Sequence, residues 1–157
     1  YNCGRSINLL HGQFQLKIMA TDNAGNTTTQ INTLTIDTIA PSLVSAAVGI
    51  AWNSETSQEV TGVNTAIKLV FSEDINGASV WEGKFTVTVD AVSQTVSSAV
   101  GGQDSWGRYR SPYVYLTLGS PLASDAEPVV SLVGNISDLA GNIVSSWAVP
   151  VTASPME

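Results

Sequence analysis

Residues 63–75 read VNTAIKLVFSEDI, the clearest strand-like pattern in the chain. Its large apolar side chains, Ile67, Leu69 and Phe71, alternate with polar or smaller ones such as Lys68. Successive side chains of a β-strand point to opposite faces of the sheet. The alternation therefore predicts a strand with one buried face and one solvated face.

The same alternation recurs along the rest of the chain, while helical periodicity is nearly absent. Its best examples are Phe14, Leu16 and Ile18; Leu34 and Ile36; Phe85, Val87 and Val89; and Val114, Leu116 and Leu118. Gly, Asn, Asp and Pro separate these short segments at nearly regular intervals, which is typical of antiparallel sheets. The pattern predicts an all-β chain that forms an antiparallel sandwich of about seven strands.

One loop motif occurs twice. Residues 20–26 read ATDNAGN and residues 137–142 read SDLAGN, and each copy lies between two predicted strands that are followed by a proline, Pro41 or Pro155. An Asp at the start of a tight loop accepts hydrogen bonds from nearby backbone N–H groups, and Gly supplies a positive φ. The repeat therefore predicts the same terminal hairpin in two consecutive units.

These motifs resemble those of a known family. Residues 63–75, the Pro-Leu pair at 121–122 and the loop at 138–142 are similar to the opening and closing motifs of the Ig-like module of S-layer proteins and other prokaryotic exoproteins. Residues 10–41 resemble the final strands of a bacterial Ig-like domain. The resemblance implies an Ig-like β-sandwich. The shared motifs indicate the fold and the kind of protein in which such a domain occurs, and they do not indicate an activity.

The resemblance also implies a domain organisation. Residues 1–40 would be the C-terminal strands of a preceding Ig-like unit plus a linker, residues 41–151 a complete Ig-like sandwich, and residues 152–157 a linker stub. A two-stranded piece is only marginally stable in water. The first segment is therefore expected to belong to a longer protein or to pair with another molecule.

Composition excludes several classes of function. The 157 residues carry a formal net charge of −7 and only 12% charged residues, so the basic patch of a nucleic-acid binder is absent. The sequence holds no apolar run of about 20 residues, so we expect no membrane span. A hydrophobic content of 43% is enough for a packed core.

Catalytic constellations are scarce. The chain has one Cys and one His, Cys3 and His11, and a nucleophile–base pair made from them lacks a third, positioning group. A glycosidase needs two carboxyl groups facing each other across a cleft, and the candidates are Glu73 with Asp74 and Glu55 with Glu59. A small sandwich offers no obvious deep cleft, so we predict that the chain is not an enzyme.

A cluster of aromatic and basic residues follows the glycines at 101–102. It contains Trp106, Arg108, Tyr109, Arg110 and Tyr113. Trp, Tyr and Arg concentrate in interface hot spots, and aromatic rings also stack on sugars. The cluster is a candidate contact for a glycan or a neighbouring subunit. The alternative is an irregular hairpin whose rings cover their own sheet.

Two further kinds of site are considered. Asp22, Asn26 and Asp37 offer oxygen ligands near the end of the first unit, and the family resemblance implies calcium at such junctions. The alternative is turn capping by Asp and Asn, and no other cofactor is expected. Asn26 and Asn135 each begin an Asn-x-Ser/Thr sequence and are candidate glycosylation sites.

The resemblance implies a structural role. The chain would be a non-catalytic module of an extracellular, cell-surface protein of a prokaryote: an S-layer, a filament or a tandem-repeat adhesin. Its partners would be other copies of itself or neighbouring Ig-like units, joined by end-to-end and lateral self-assembly. Two alternatives stay open, a carbohydrate- or cell-binding adhesin module that contacts surface glycans and an accessory domain of a secreted hydrolase. Fold alone does not decide between them.

Overall fold

The structure is a computed structural model that describes residues 9–103, 108, 110–144, 146–150 and 152–153. The chain divides into two compact units between Ile39 and Ala40, and each unit is described by itself.

Unit 1 is a two-stranded antiparallel sheet. Strand β1 (Gly12–Thr21) pairs with β2 (Thr27–Ile36) in a continuous register of ten pairs, from Gly12 opposite Ile36 to Thr21 opposite Thr27. The first copy of the repeated loop motif joins the two strands. The hairpin therefore lies where the strand alternation and the loop motif predict it.

Unit 2 begins at Ala40 and holds the other strands. Its described strands are β3 (Leu43–Asn53), β4 (Gln58–Asn76), β5 (Phe85–Val89), β6 (Val92–Gln94), β7 (Val96–Gly101), β8 (Arg110–Leu118), β9 (Val129–Leu132), β10 (Ile136–Ser137), β11 (Ile143–Val144), β12 (Trp147–Pro150) and β13 (Thr152–Ala153). Two single-turn 3-10 helices, Gly77–Ser79 and Glu82–Lys84, lie between β4 and β5.

The strands of unit 2 form two main sheets. A five-stranded sheet has the order β13-β3-β4-β8-β7, a four-stranded sheet has the order β12-β9-β5-β6, and β10 pairs with β11. The pairs are antiparallel except for β13 with β3, which is parallel. The predicted Ig-like antiparallel sandwich is confirmed. The strand count differs from seven for two reasons. The segment expected to form one closing strand, residues 143–151, contains β11 and β12, which pair with different strands. Short strands such as β6, β10 and β13 were not predicted, and β13 lies in residues 152–157, which were expected to be a linker.

The core lies between the two main sheets. Ile67 and Leu69 of β4 and Val114 and Leu116 of β8 are fully buried, as predicted from their alternation with polar residues. The four-stranded sheet contributes buried side chains from β5 and β9, namely Phe85, Val87, Val130 and Leu132. Both layers therefore present an apolar inner face, which is the arrangement that a β-sandwich requires.

Candidate functional site

The distal part of the β3–β4 hairpin forms an arm, defined here as residues 49–63. Val48 pairs with Ile67, but the next residue, Gly49, pairs with Val63, so the register skips three residues of β4. Gly49 has φ +93° and Gly62 has φ +76°, backbone conformations that glycine adopts without steric cost. The pairing irregularity and the two glycines bend the hairpin at the base of the arm.

The arm folds back over the outer face of the five-stranded sheet. The carboxylate of Glu59, on the arm, contacts the ammonium group of Lys68, nine residues later on the same strand. Nine residues of straight strand would span about 30 Å, far more than two side chains can bridge. Because Lys68 alternates with the buried Ile67 and Leu69, its side chain lies on the face opposite the core.

A cluster of four side chains holds the arm in this position, and we call it the arm clasp: Trp52, Glu59, Lys68 and Tyr115. Glu59 Oε1 accepts hydrogen bonds from Lys68 Nζ and from the Tyr115 hydroxyl, the latter at 2.6 Å. The Trp52 ring stacks on the Tyr115 ring with centroids 5.6 Å apart. As a result, Tyr115 is only 2% exposed although it lies on the outer face of its sheet.

The electrostatics of the arm clasp favour one charge state. Partial burial raises the pKa of Glu59, but the hydrogen bonds from Lys68 and Tyr115 and the charge of Lys68 outweigh it, so the pKa lies below its usual value. Burial, followed by the hydrogen bond to Glu59 and its negative charge, raises the pKa of Tyr115. The clasp thus pairs a carboxylate with an ammonium and a neutral phenol, a stable structural arrangement without an activated nucleophile.

The aromatic and basic cluster is described only in part. Trp106 and Tyr109 lie outside the described residues. Arg108 is exposed, and Arg110 is half-buried at the start of β8. Tyr113 is 36% exposed, and the Lys68 ammonium lies 4.1 Å from the centroid of its ring. The glycan or subunit contact proposed for this cluster stays a prediction.

The two copies of the loop motif have the same hydrogen bonds. In the first, Asp22 Oδ1 accepts from the backbone N–H of Asn26 at 2.9 Å and Asp22 Oδ2 accepts from Asn26 Nδ2 at 2.9 Å. In the second, the same bonds join Asp138 to Asn142 at 2.8 and 2.7 Å. The glycine before each Asn has a positive φ of about 90°. The sequence repeat therefore corresponds to one loop structure that occurs in both units.

Hydrogen bonding lowers the pKa of both loop carboxylates. For Asp22, the largest cause is the bond from the Asn26 side chain. Asp138 is buried, which raises its pKa, but the side-chain and backbone bonds from Asn142 outweigh burial and the net pKa is below 3.8. Both Asp residues thus act as ionised loop caps.

The predicted calcium ligands are separated by the length of the hairpin. Asp22 and Asn26 are bonded to each other at the loop end, whereas Asp37 follows β2 at the opposite end, about 30 Å away. There, Asp37 Oδ1 lies 3.2 Å from His11 Nδ1 and accepts the backbone N–H of Ile39. The three residues therefore do not form one site. Calcium binding by the chain stays a prediction.

The two candidate glycosylation residues differ in their hydrogen bonds. Both side chains are exposed. Asn26 Nδ2, the atom to which a glycan would be attached, donates to Asp22 inside the loop. The backbone oxygen of Asn135 accepts a hydrogen bond from the Lys84 ammonium. Glycan attachment at Asn26 therefore competes with the loop structure, and both sites stay predictions.

One candidate carboxylate pair, Glu55 with Glu59, lies on the arm. Glu59 is held by Lys68 and Tyr115 in the arm clasp. Glu55 lies on the arm beside a broad, open depression of about 470 Å³ that includes Trp52 and Asn53 in its lining. A glycosidase needs two carboxyl groups at a fixed separation across the bond to be cleaved. This depression is a surface feature of the arm.

Sequence reasoning missed two features. The first is the arm clasp. Two glycines inside strand-like segments, Gly49 and Gly62, could have indicated it, because glycine inside a strand often marks a bulge or bend. The second is the exposure of Trp81. Its side chain is 55% exposed beside Lys84.

Comparisons with known proteins agree with this architecture. A family model described as "Bacterial Ig-like domain" matches residues 37–149. No curated protein sequence matches the chain. Among the residues that the structure describes, the helices are single turns, and none is long and apolar enough to cross a membrane.

Several solved structures share the fold. The crystal structure of the S-layer protein rSbsC(31-844) is similar with a TM-score of 0.55 and 16% sequence identity, over 73% of this chain and 14% of that one. A structure of domains 1–6 of the surface layer protein SbsC is similar with a TM-score of 0.53 and 16% sequence identity, over 72% of this chain and 13% of that one. A thermostable esterase is similar with a TM-score of 0.50 and 18% sequence identity, over 69% of this chain and 34% of that one. The chain thus spans a small part of the proteins that it resembles, and these identities show the fold alone.

Proposed function

Because the chain belongs to the bacterial Ig-like domain family, we propose that it is a non-catalytic structural module of an extracellular prokaryotic surface protein. In this role it acts by end-to-end and lateral assembly with copies of itself or with neighbouring Ig-like units. Its mechanism is mechanical, since the apolar core holds the two sheets together and the arm clasp fixes the arm on one outer face. S-layer structures with the same fold support this role.

The repeated loop is the observation on which the proposal depends. Asp22 with Asn26 and Asp138 with Asn142 form the same loop in two separate units of one chain. Repetition of one structural unit along a chain is typical of extended arrays. We therefore interpret residues 1–40 as the end of one Ig-like unit and residues 41–151 as the next complete unit. Strand β13 (Thr152–Ala153) extends that unit by pairing with β3, so the linker expected at residues 152–157 begins after this strand.

Electron microscopy of the full chain tests this proposal. At increasing protein concentration, without any added ligand, we expect ordered assemblies with a constant repeat distance. Sedimentation measurements on the same samples should show association that increases with concentration. A chain that stays monomeric at every concentration would contradict the proposal.

An adhesin role is a second candidate, and the exposure of Trp81 favours it. An exposed indole beside the Lys84 ammonium offers a surface for a sugar ring or for a protein partner. A glycan array probed with the full chain, with Trp81→Ala and with Trp106→Ala separates the two roles. Specific binding that either substitution removes would favour adhesion, whereas assembly without glycan binding favours the structural role.

An accessory role in a secreted hydrolase is a third candidate, because the fold is similar to part of a thermostable esterase. An assay with p-nitrophenyl acetate on the full chain tests for activity in the module itself. We expect hydrolysis no faster than with a matched amount of serum albumin.

A further inference from the structure

The open depression on the arm is a candidate ligand site that neither assembly nor the arm clasp uses. Its volume is about 470 Å³, and its lining comes from the end of β3, the loop that follows and the first half of β4. Sites for small molecules usually measure about 300–1,000 Å³. The depression therefore has the size of a ligand site, and one hairpin of unit 2 supplies its lining.

The Trp52 ring gives the depression an apolar wall. The side chain is half-buried, and its Nε1 atom is buried without a hydrogen-bond acceptor in the described part of the chain. The surface that the ring offers to the depression is therefore carbon. Stacking on Tyr115 in the arm clasp holds the ring in place. A ligand would meet a wall that is already ordered, which reduces the entropy lost on binding.

Polar groups at the tip of the arm complete the lining. Asn53 Oδ1 accepts the backbone N–H groups of Glu55 and Thr56 at 2.9 and 3.2 Å. These bonds fix the loop and use only the amide oxygen, so Asn53 Nδ2 has no partner among the described residues. The Ser54 hydroxyl and the Glu55 carboxylate are exposed in the same depression. An amide donor, a hydroxyl and a carboxylate acceptor thus lie beside the aromatic wall.

This combination fits a pyranose ring. A pyranose has a face of C–H groups, which can pack on the carbon surface of Trp52, and a rim of hydroxyls that both donate and accept hydrogen bonds. Asn53 Nδ2 can donate to one hydroxyl, while the Glu55 carboxylate accepts from another. Ligand sites typically join apolar walls to a few polar groups that fix the orientation.

Charge excludes an anionic ligand. Glu55 is the charged residue of the lining, and the chain as a whole has a net charge of −7. A phosphate or a uronic acid would therefore approach a carboxylate without a cation in the lining to pair with it. A neutral saccharide meets no such repulsion.

We propose that the depression on the arm binds a neutral saccharide, with one pyranose stacked on Trp52 and its hydroxyls bonded to Asn53 and Glu55. The site lies outside the aromatic and basic cluster at residues 106–113, and it does not include Trp81. The inference goes beyond the proposed structural role, which needs no ligand. Its failure would leave the assembly of the chain unaffected.

NMR titration of the ¹⁵N-labelled full chain with maltotriose, cellotriose and triacetylchitotriose tests the proposal. We expect at least one of these neutral trisaccharides to bind with a dissociation constant of about 1 mM or lower. The shifted signals should include the Trp52 indole and the backbone of residues 51–55. Signals from the core strands should change less.

Two isosteric substitutions test the polar contacts. Asn53→Asp retains the oxygen that fixes the loop but removes the amide donor, and Glu55→Gln removes the charged acceptor. Each should raise the dissociation constant by about fivefold or more. They are sharper probes than Trp52→Ala, which would also remove the stacking on Tyr115 that holds the arm.

The controls are two changes outside the arm. Asn135→Asp adds the same charge at another exposed residue, and Trp81→Ala removes an exposed indole. Both should leave the dissociation constant within about twofold of the wild-type value.

Three outcomes would overturn the proposal. The first is that none of the three trisaccharides binds at concentrations up to about 10 mM. The second is that Asn53→Asp weakens binding no more than Asn135→Asp does, which would put the contact elsewhere. The third is that trigalacturonic acid or choline binds as tightly as the best neutral trisaccharide, since the ligand would then be an anion or a cation. The concentration dependence of assembly, measured on the same samples, tests the structural role separately.

Discussion

The hydroxyl of Tyr115 donates a hydrogen bond of 2.6 Å to the carboxylate of Glu59, which lies 56 residues earlier in the chain. This bond joins strand β8 to the arm that folds over it. The same carboxylate atom accepts from Lys68, so one acidic side chain fixes the arm to two neighbouring strands. The arm therefore buries part of the outer face of the five-stranded sheet.

Glu59→Gln tests the arm clasp. Glutamine retains an oxygen acceptor for Tyr115 but loses the charge that attracts Lys68, so we expect the free energy of unfolding to fall by about 0.5–1.5 kcal/mol. Amide hydrogen exchange should increase in residues 50–61 before the core strands are affected. Glu55→Gln, an exposed change on the same arm, is the control. Equal stability and equal exchange in the two variants would show that the clasp does not hold the arm.

The Asp138 loop gives a prediction about pH. Asp138→Asn places an amide donor opposite the Asn142 amide, which should reduce the free energy of unfolding at pH 7 by about 1–3 kcal/mol. The folded-state pKa of Asp138 lies below its usual value of 3.8, so the ionised carboxylate stabilises the fold above that value. This stabilisation is lost as the pH falls through the folded-state pKa.

Urea unfolding from pH 7 to pH 2.5 measures this effect. The difference in stability between the wild type and Asp138→Asn should be constant above about pH 5 and decrease below about pH 4. Asp125→Asn, in an exposed loop, is the control for the general effect of removing one negative charge. A difference that stays constant down to pH 2.5 would be inconsistent with an ionised Asp138 as the source of the stability.

The sandwich could be predicted because strands such as β5 and β9 bury alternate side chains. Ile67 and Leu69 alternate with polar residues, and Val130 and Leu132 do the same, so period-two patterning identifies the core without tertiary information. The repeated loop was equally readable, since Asp, Gly and Asn at that spacing impose a local structure.

The arm, and which of the aromatic side chains are buried, could not be predicted in the same way. Residues 49–63 look like ordinary strands, and the fold-back depends on the contact of Glu59 with side chains far along the chain. Composition predicted an aromatic surface that would include Tyr113. It could not show that Tyr115 is covered by Trp52 while Tyr113 remains partly exposed.

Gly102→Ala tests the packing of the segment that follows β7. A Cβ at this position would lie 2.6 Å from Ser111 Oγ and 3.2 Å from the Tyr115 ring. Ser111 Oγ already accepts the backbone N–H of Tyr113, so it cannot move without breaking that bond. We expect a loss of about 1–3 kcal/mol in the free energy of unfolding.

Urea unfolding again provides the measurement for Gly102→Ala. Gly83→Ala is the matched control, because its Cβ would meet the Trp81 ring at an ordinary contact distance of 3.6 Å. If Gly102→Ala is as stable as Gly83→Ala, the segment after β7 does not pack on Ser111 and Tyr115 as described.

Gly62→Ala tests the bend at the base of the arm. The new Cβ would meet open space, so any effect comes from the backbone, whose φ of +76° costs about 1–2 kcal/mol for a residue other than glycine. The strain acts at the bend, and we therefore expect hydrogen exchange to increase in the arm as it does for Glu59→Gln. In Gly119→Ala, the control, the Cβ meets Thr95 at 3.4 Å and φ lies outside the left-handed region.

Glu59→Gln and Gly62→Ala loosen the same contact of the arm. The two changes combined should therefore destabilise the fold by less than the sum of the two single changes. Simple additivity would mean that the bend and the clasp act independently.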